Sequence, residues 1–214
     1  LILLVLFCLP GKTAIANGLK TYLSTKIQTT LSTWTILLGL LWTTQTTGLL
    51  SQATTDNDGA SVQGNEIFAL STSRDVWFET KIKVGDSEGS AIDLCVGLTV
   101  NFATNPEAML TAADRIVFQV DDGDTNIDCV TEKDGTATTT DSGVDIADDT
   151  FVTLGFHAKG TGSVEFFVNR NLVATHTDNI PDDENLAIGA MELSGSATGT
   201  KSATIDYLFA AQNR

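Results

Sequence analysis

Apolar and polar residues alternate along most of the chain from residue 62 onward. Val76, Phe78, Thr80, Ile82 and Val84 share one side of a period of two, and Glu79, Lys81 and Lys83 share the other. The same period aligns Ile116, Phe118 and Val120, then Val152, Leu154, Phe156 and Ala158, then Val164, Phe166 and Val168. It also aligns Ala203, Ile205, Tyr207 and Phe209 near the C-terminus. Such alternation is the mark of strands with one buried and one solvated face. Further strands are expected at 62–70, 92–100, 126–133, 171–176 and 185–194.

The segments between these runs carry turn chemistry. Asp122-Gly123, Asp134-Gly135, Asp141-Ser-Gly143, Gly160-Thr-Gly162 and Pro181-Asp-Asp183 are read as turns, because Asp and Gly tolerate the positive φ that tight hairpins need. Asp56-Asn-Asp58-Gly59 is read the same way. One short helical turn fits within 104–113. About ten short strands without a long helical pattern predict an all-β, antiparallel two-sheet sandwich or barrel. Phe78, Ile82, Phe118, Leu154, Phe156, Phe166, Val168 and Tyr207 are its expected core.

Charge divides the chain in two. Residues 1–50 hold no Asp or Glu and three lysines, Lys12, Lys20 and Lys26, whereas 51–214 hold all 27 acids against 9 bases. Leucine breaks at the same place, with 14 in the first 50 residues and 9 in the rest. The domain is therefore placed at 51–214, preceded by an atypical segment at 1–50. The runs Leu1–Leu9 and Ile36–Trp42 are too short to span a bilayer. Three readings of 1–50 stand side by side: a truncated secretory leader, an extended arm packing on partner subunits, or a mis-recorded stretch. A net charge of −15 argues against nucleic acid and anionic membrane surfaces as partners.

Candidate chemistry is sparse. Glu132-Lys-Asp134 is the nearest match to the Glu-x-Asp-x-x-Glu strand of glucanases, but it lacks the third acid. Gly85-Asp-Ser87-Glu-Gly89 matches a nucleophile elbow in letters only, since strands are expected on both sides. His157 and His176 sit at strand positions and read as ordinary half-buried side chains. Asp122, Asp124, Asn126 and Asp128 alternate like a calcium loop, yet Ile127 replaces the sixth-position Gly and Lys133 the twelfth-position Glu. Cys95 and Cys129 are expected as buried thiols, and with Cys8 they are too scattered for a disulfide framework. Trp77 is expected in the core or at its rim, leaving little aromatic surface for sugars. No catalytic, cofactor or metal residue is assigned, and the chain is expected to be non-enzymatic.

Two resemblances add to this. Phe151-Val-Thr-Leu-Gly-Phe-His157, Ser163-Val-Glu-Phe-Phe-Val-Asn-Arg-Asn-Leu-Val173 and Ala203-Thr-Ile-Asp-Tyr-Leu208 resemble the second half of a concanavalin A-like jelly roll. In that family the hairpin carries Gly where Arg170-Asn171 stands here. Thr54–Gln63, Asp75–Glu79, Asp114-Arg-Ile, Asp121–Asp128 and Thr131–Gly135 resemble structural proteins of tailed-phage virions. That resemblance implies a decoration or cement protein on the phage head, assembled in the host cytoplasm. Its implied partners are the major capsid protein and copies of itself, as a trimer. The alternative is a carbohydrate-binding, lectin-like module on a phage fibre or surface.

Overall fold

The computed structural model describes residues 36–37, 48–51, 57–85, 92–102, 105–195 and 201–213. These form thirteen strands: β1 (Ile36–Leu37), β2 (Gly48–Ser51), β3 (Gly59–Ala69), β4 (Val76–Gly85), β5 (Ile92–Thr99), β6 (Arg115–Val120), β7 (Asn126–Lys133), β8 (Thr136–Asp145), β9 (Val152–Lys159), β10 (Ser163–Val168), β11 (Asn171–His176), β12 (Asn185–Ser194) and β13 (Ser202–Asn213). One sheet runs β1-β13-β4-β9-β10-β11, with β2 also on β13, and the other runs β3-β12-β5-β6-β7-β8. The pairings are antiparallel. The expected two-sheet jelly roll is the observed fold, of the concanavalin A-like type. β2 crosses the boundary drawn at residue 51 and pairs with the start of β13, Ser51 opposite Ser202. Apart from β1 and β2, the atypical segment 1–50 lies outside the described residues.

The core lies between the sheets. Phe78, Ile82, Phe118, Leu154, Phe156, Phe166 and Val168 are buried there as the alternation predicts, each large side chain contributing about 1.5–3 kcal/mol by leaving water. Phe166 is the hub, edge-on to Phe118 at 5.3 Å between centroids and tilted against Phe156 at 5.8 Å. A smaller cluster of Cys95, Phe102, Met109, Val117, Val130, Met191 and Leu193 forms a separate apolar group. It includes the 3-10 turn Pro106–Met109, the short helical piece expected within 104–113.

Tyr207 is not in the core. The register of β13 against β4 shifts between Ile205 and Tyr207. A bulge inserts one unpaired residue, so every later side chain changes face. Ala203 and Ile205 therefore point inward, whereas Tyr207 and Phe209 lie opposite Lys81 and Glu79 on the outward face. Leu208 takes the inward place and packs against the core.

Strand β8 was not expected, and Asp141-Ser-Gly143 is not a turn. Its burial alternates only between exposed and half-buried positions, so a polar, Thr-rich edge strand gave no apolar period. Asp128 pairs with Asp141 and Asn126 with Asp145, leaving residues 142–144 opposite Ile127 as a bulge. Gly143 takes φ of +70° there. Asp134-Gly135, by contrast, is a two-residue hairpin turn with both φ positive, at 51° and 74°.

Candidate functional site

The outward face of the seven-stranded sheet gathers the chemistry. Alternation on β4 sends Trp77, Glu79, Lys81 and Lys83 outward, since Val76, Phe78, Thr80, Ile82 and Val84 are buried. On β9 the outward set is Thr153, Gly155, His157 and Lys159, and on β10 it is Ser163, Glu165 and Phe167. Strand register arranges these in rows. Phe209, Glu79, Gly155, Phe167 and Leu172 line up across five strands. Ala211, Trp77, His157, Glu165 and Thr175 form the next row.

Gly155 has no side chain to fill the centre of the first row. A Cβ there would meet the Phe78 carbonyl oxygen at 3.1 Å and Glu79 Cγ at 3.6 Å. Glu79 accepts a 2.6 Å hydrogen bond from the Tyr207 hydroxyl. Burial, and then that bond, push the Tyr207 phenol above its ordinary range, so it stays protonated and keeps donating. The bulge in β13 is what brings Tyr207 to this carboxylate. Trp77 and His157 stack nearly parallel, centroids 4.9 Å apart, and His157 Nε2 lies 3.4 Å from Asp75 Oδ2. Trp77 is thus neither core nor bare rim: the sheet offers aromatic surface that its position in the sequence did not reveal.

The cations of this face are held by the chain's own acids. Lys81 pairs with Asp206 at 3.1 Å, Lys83 with Asp149 at 2.7 Å, and Lys159 with Glu165. Lys81 Nζ also lies 4.6 Å from the centroid of the exposed Phe151 ring.

The sequence candidates fall elsewhere. Glu132 is on β7 in the other sheet, in a buried ion pair with Arg115 at 2.7 Å, and Asp134 is in the β7–β8 turn. Ser87 lies outside the described residues. The Asp124 carboxylate accepts from the backbone N–H groups of Thr125 and Asn126 and from the Asn126 side chain, closing its own loop. His176 is buried, not half-buried, and bridges Thr131 and Thr140 inside the sandwich. Cys95 and Cys129 are both buried, and burial pushes their thiols up to about 12.

Among the described residues, the one acidic group compact enough for a metal ion is Asp114, Asp134 and Asp183, with oxygens within 4.8 Å of one another. Burial first, then its two acidic neighbours, raises the Asp114 carboxyl above the usual range, against a backbone hydrogen bond that lowers it. These residues come from three separate connections, so no spacing in the sequence marks them.

No protein-family model matches the chain, and no curated protein matches it. Solved structures do. The Emp46p carbohydrate recognition domain in its metal-free form shares 12% identity over 86% of this chain and 89% of that one, with a TM-score of 0.58. A native glycosidic hydrolase shares 15% over 81% and 80%, at 0.54. The endo-1,3-beta-glucanase from Streptomyces sioyaensis shares 9% over 71% and 69%, at 0.53. At such identities the likeness establishes the concanavalin A-like fold and nothing finer.

Proposed function

We propose that this protein is a carbohydrate-binding, lectin-like module whose ligand lies across the outward face of the seven-stranded sheet, over Gly155. The observation that carries this is the placing of a glycine, without a side chain, between Glu79 and Phe167, with the Trp77–His157 stack one row away. Half-buried aromatic rings give a sugar's C–H face a flat apolar partner, and a carboxylate accepts from its hydroxyl groups. The carbohydrate recognition domain among the structural relatives supports the same reading.

Binding without cleavage fits the placing of the acids. Glu79 and Glu165 stand on β4 and β10 with β9 between them, and their registers differ by two residues. Two strand spacings and two residue rises separate their backbones by roughly 12 Å. Each of the two is already bonded within the chain, Glu79 to Tyr207 and Glu165 to Lys159. Location on a phage head, with the major capsid protein as partner, rests on the sequence resemblance alone; mass spectrometry of purified particles tests it.

The glycan-binding function is tested with a panel of immobilised oligosaccharides, neutral, amino and acidic. At least one is expected to bind with Kd between about 1 μM and 1 mM, and Glu79→Gln is expected to weaken it tenfold or more. Lack of binding across the panel, or binding indifferent to both Glu79→Gln and Trp77→Ala, overturns the proposal.

A further inference from the structure

Resting on the glycan-binding reading, we infer that the face selects uncharged sugar chains and discriminates against polyanionic ones such as polyuronates. Three lysines project from this face, and each is neutralised within the chain, Lys81 by Asp206, Lys83 by Asp149 and Lys159 by Glu165. An anionic sugar would have to displace one of these carboxylates to gain a cation. Two of the three pairs also lean on the Phe151 ring, Lys81 at 4.6 Å and Lys83 at 5.6 Å from its centroid, which fixes them further.

Arg170, in the β10–β11 turn, makes no ion pair among the described residues. It is near enough to Tyr207 to act on the phenol electrostatically, yet burial and Glu79 outweigh it there. This cation shares its side of the sheet with five carboxylates: Asp75, Glu79, Asp149, Glu165 and Asp206. Glu79, beside Gly155, only accepts hydrogen bonds when ionised. The hydroxyl groups of a neutral sugar can donate to it, whereas a uronate carboxylate can only accept and is repelled. Salt screens charges beyond about 8 Å at physiological strength, so these local groups decide selectivity more than the chain's net −15.

The test titrates the full chain by calorimetry with hexaoses of three neutral types, β-1,3-glucan, β-1,4-glucan and mannan, and with oligouronates of equal length. Titrations run at about 20 mM and about 300 mM salt, on either side of the physiological screening regime. At least one neutral hexaose is expected to bind tenfold or more tighter than any oligouronate at low salt. The gap should narrow at high salt and in the double variant Glu79→Gln, Glu165→Gln. Oligouronates binding as tightly as the neutral series, weakened by salt and lost in Arg170→Gln, would overturn the inference while leaving glycan binding intact. Failure of both classes to bind overturns this inference, and the function proposed above falls with it only if the amino sugars of the wider panel also fail to bind.

Discussion

The indole of Trp77 and the imidazole of His157 lie face to face, 4.9 Å between centroids and 14° from parallel, on neighbouring strands of the seven-stranded sheet. They are directly opposed in the β4–β9 register. The imidazole therefore holds the indole in place one row from Gly155. Trp77→Ala is expected to weaken binding of the best glycan at least tenfold, about 1.4 kcal/mol. His157→Ala, which frees the indole to turn, should weaken it by less. Calorimetric titration of both variants checks the order; equal affinity in wild type and Trp77→Ala would remove the stack from the site.

Phe166 is fully buried and touches Phe118, Phe156 and His176. Replacing it by Ala leaves a cavity where both sheets meet, so Phe166→Ala is expected to cost about 3–5 kcal/mol. Chemical denaturation measures this directly. Phe167→Ala, one residue away on the outward face, is expected to cost much less and to act on binding instead.

His176 gives stability a pH dependence. Thr131 donates to the Asp178 carbonyl at 3.0 Å, so it accepts from His176 Nδ1, and Nε2 lies 3.0 Å from the Thr140 hydroxyl. Burial favours the neutral ring and lowers its pKa below the ordinary 6.5. The unfolded chain thus takes up the proton first. Stability from this group is complete above pH 6.5 and is lost as pH falls from there through the lower folded value. Asp114 and Asp128, whose carboxyls are raised mainly by burial, act oppositely, adding stability once the pH is low enough to protonate them. Unfolding free energies between pH 8 and 5 should decline in wild type and decline less in His176→Gln.

Glu132 is tied to Arg115, which also donates to the Met109 carbonyl and to Gln119. Glu132→Gln leaves a guanidinium buried without its counter-charge, and a loss of about 3–5 kcal/mol is expected. Glycan affinity should not change, because Glu132 belongs to the other sheet. A change in affinity without a fall in stability would mean that the site has been placed on the wrong sheet.

Most of the strands were legible because their apolar alternation is local: the period of β4, β9 and β10 states which side chains are buried before any partner is known. β8 was not, since an edge strand of Thr, Ser and Asp buries little and so needs no apolar period. The Glu79–Tyr207 bond was hidden for a different reason. The two residues are 128 positions apart and meet only through sheet pairing, and one bulged residue inverts the face of all that follow in β13.

By itself the sequence determined the all-β class, the turn at Asp134-Gly135, the apolar stripe of Phe78, Phe118, Phe156 and Phe166, and the acidity of everything after residue 50. Each of these follows from local backbone preference, from burial of one strand face, or from composition. Only the tertiary structure decided that Trp77 and His157 meet, that Tyr207 turns outward to Glu79, that Glu132 is spent on Arg115, and that three lysines are cancelled by acids from other segments. These depend on register and on which strands become neighbours. A one-residue shift in either moves a side chain from core to surface at almost no change in the local pattern.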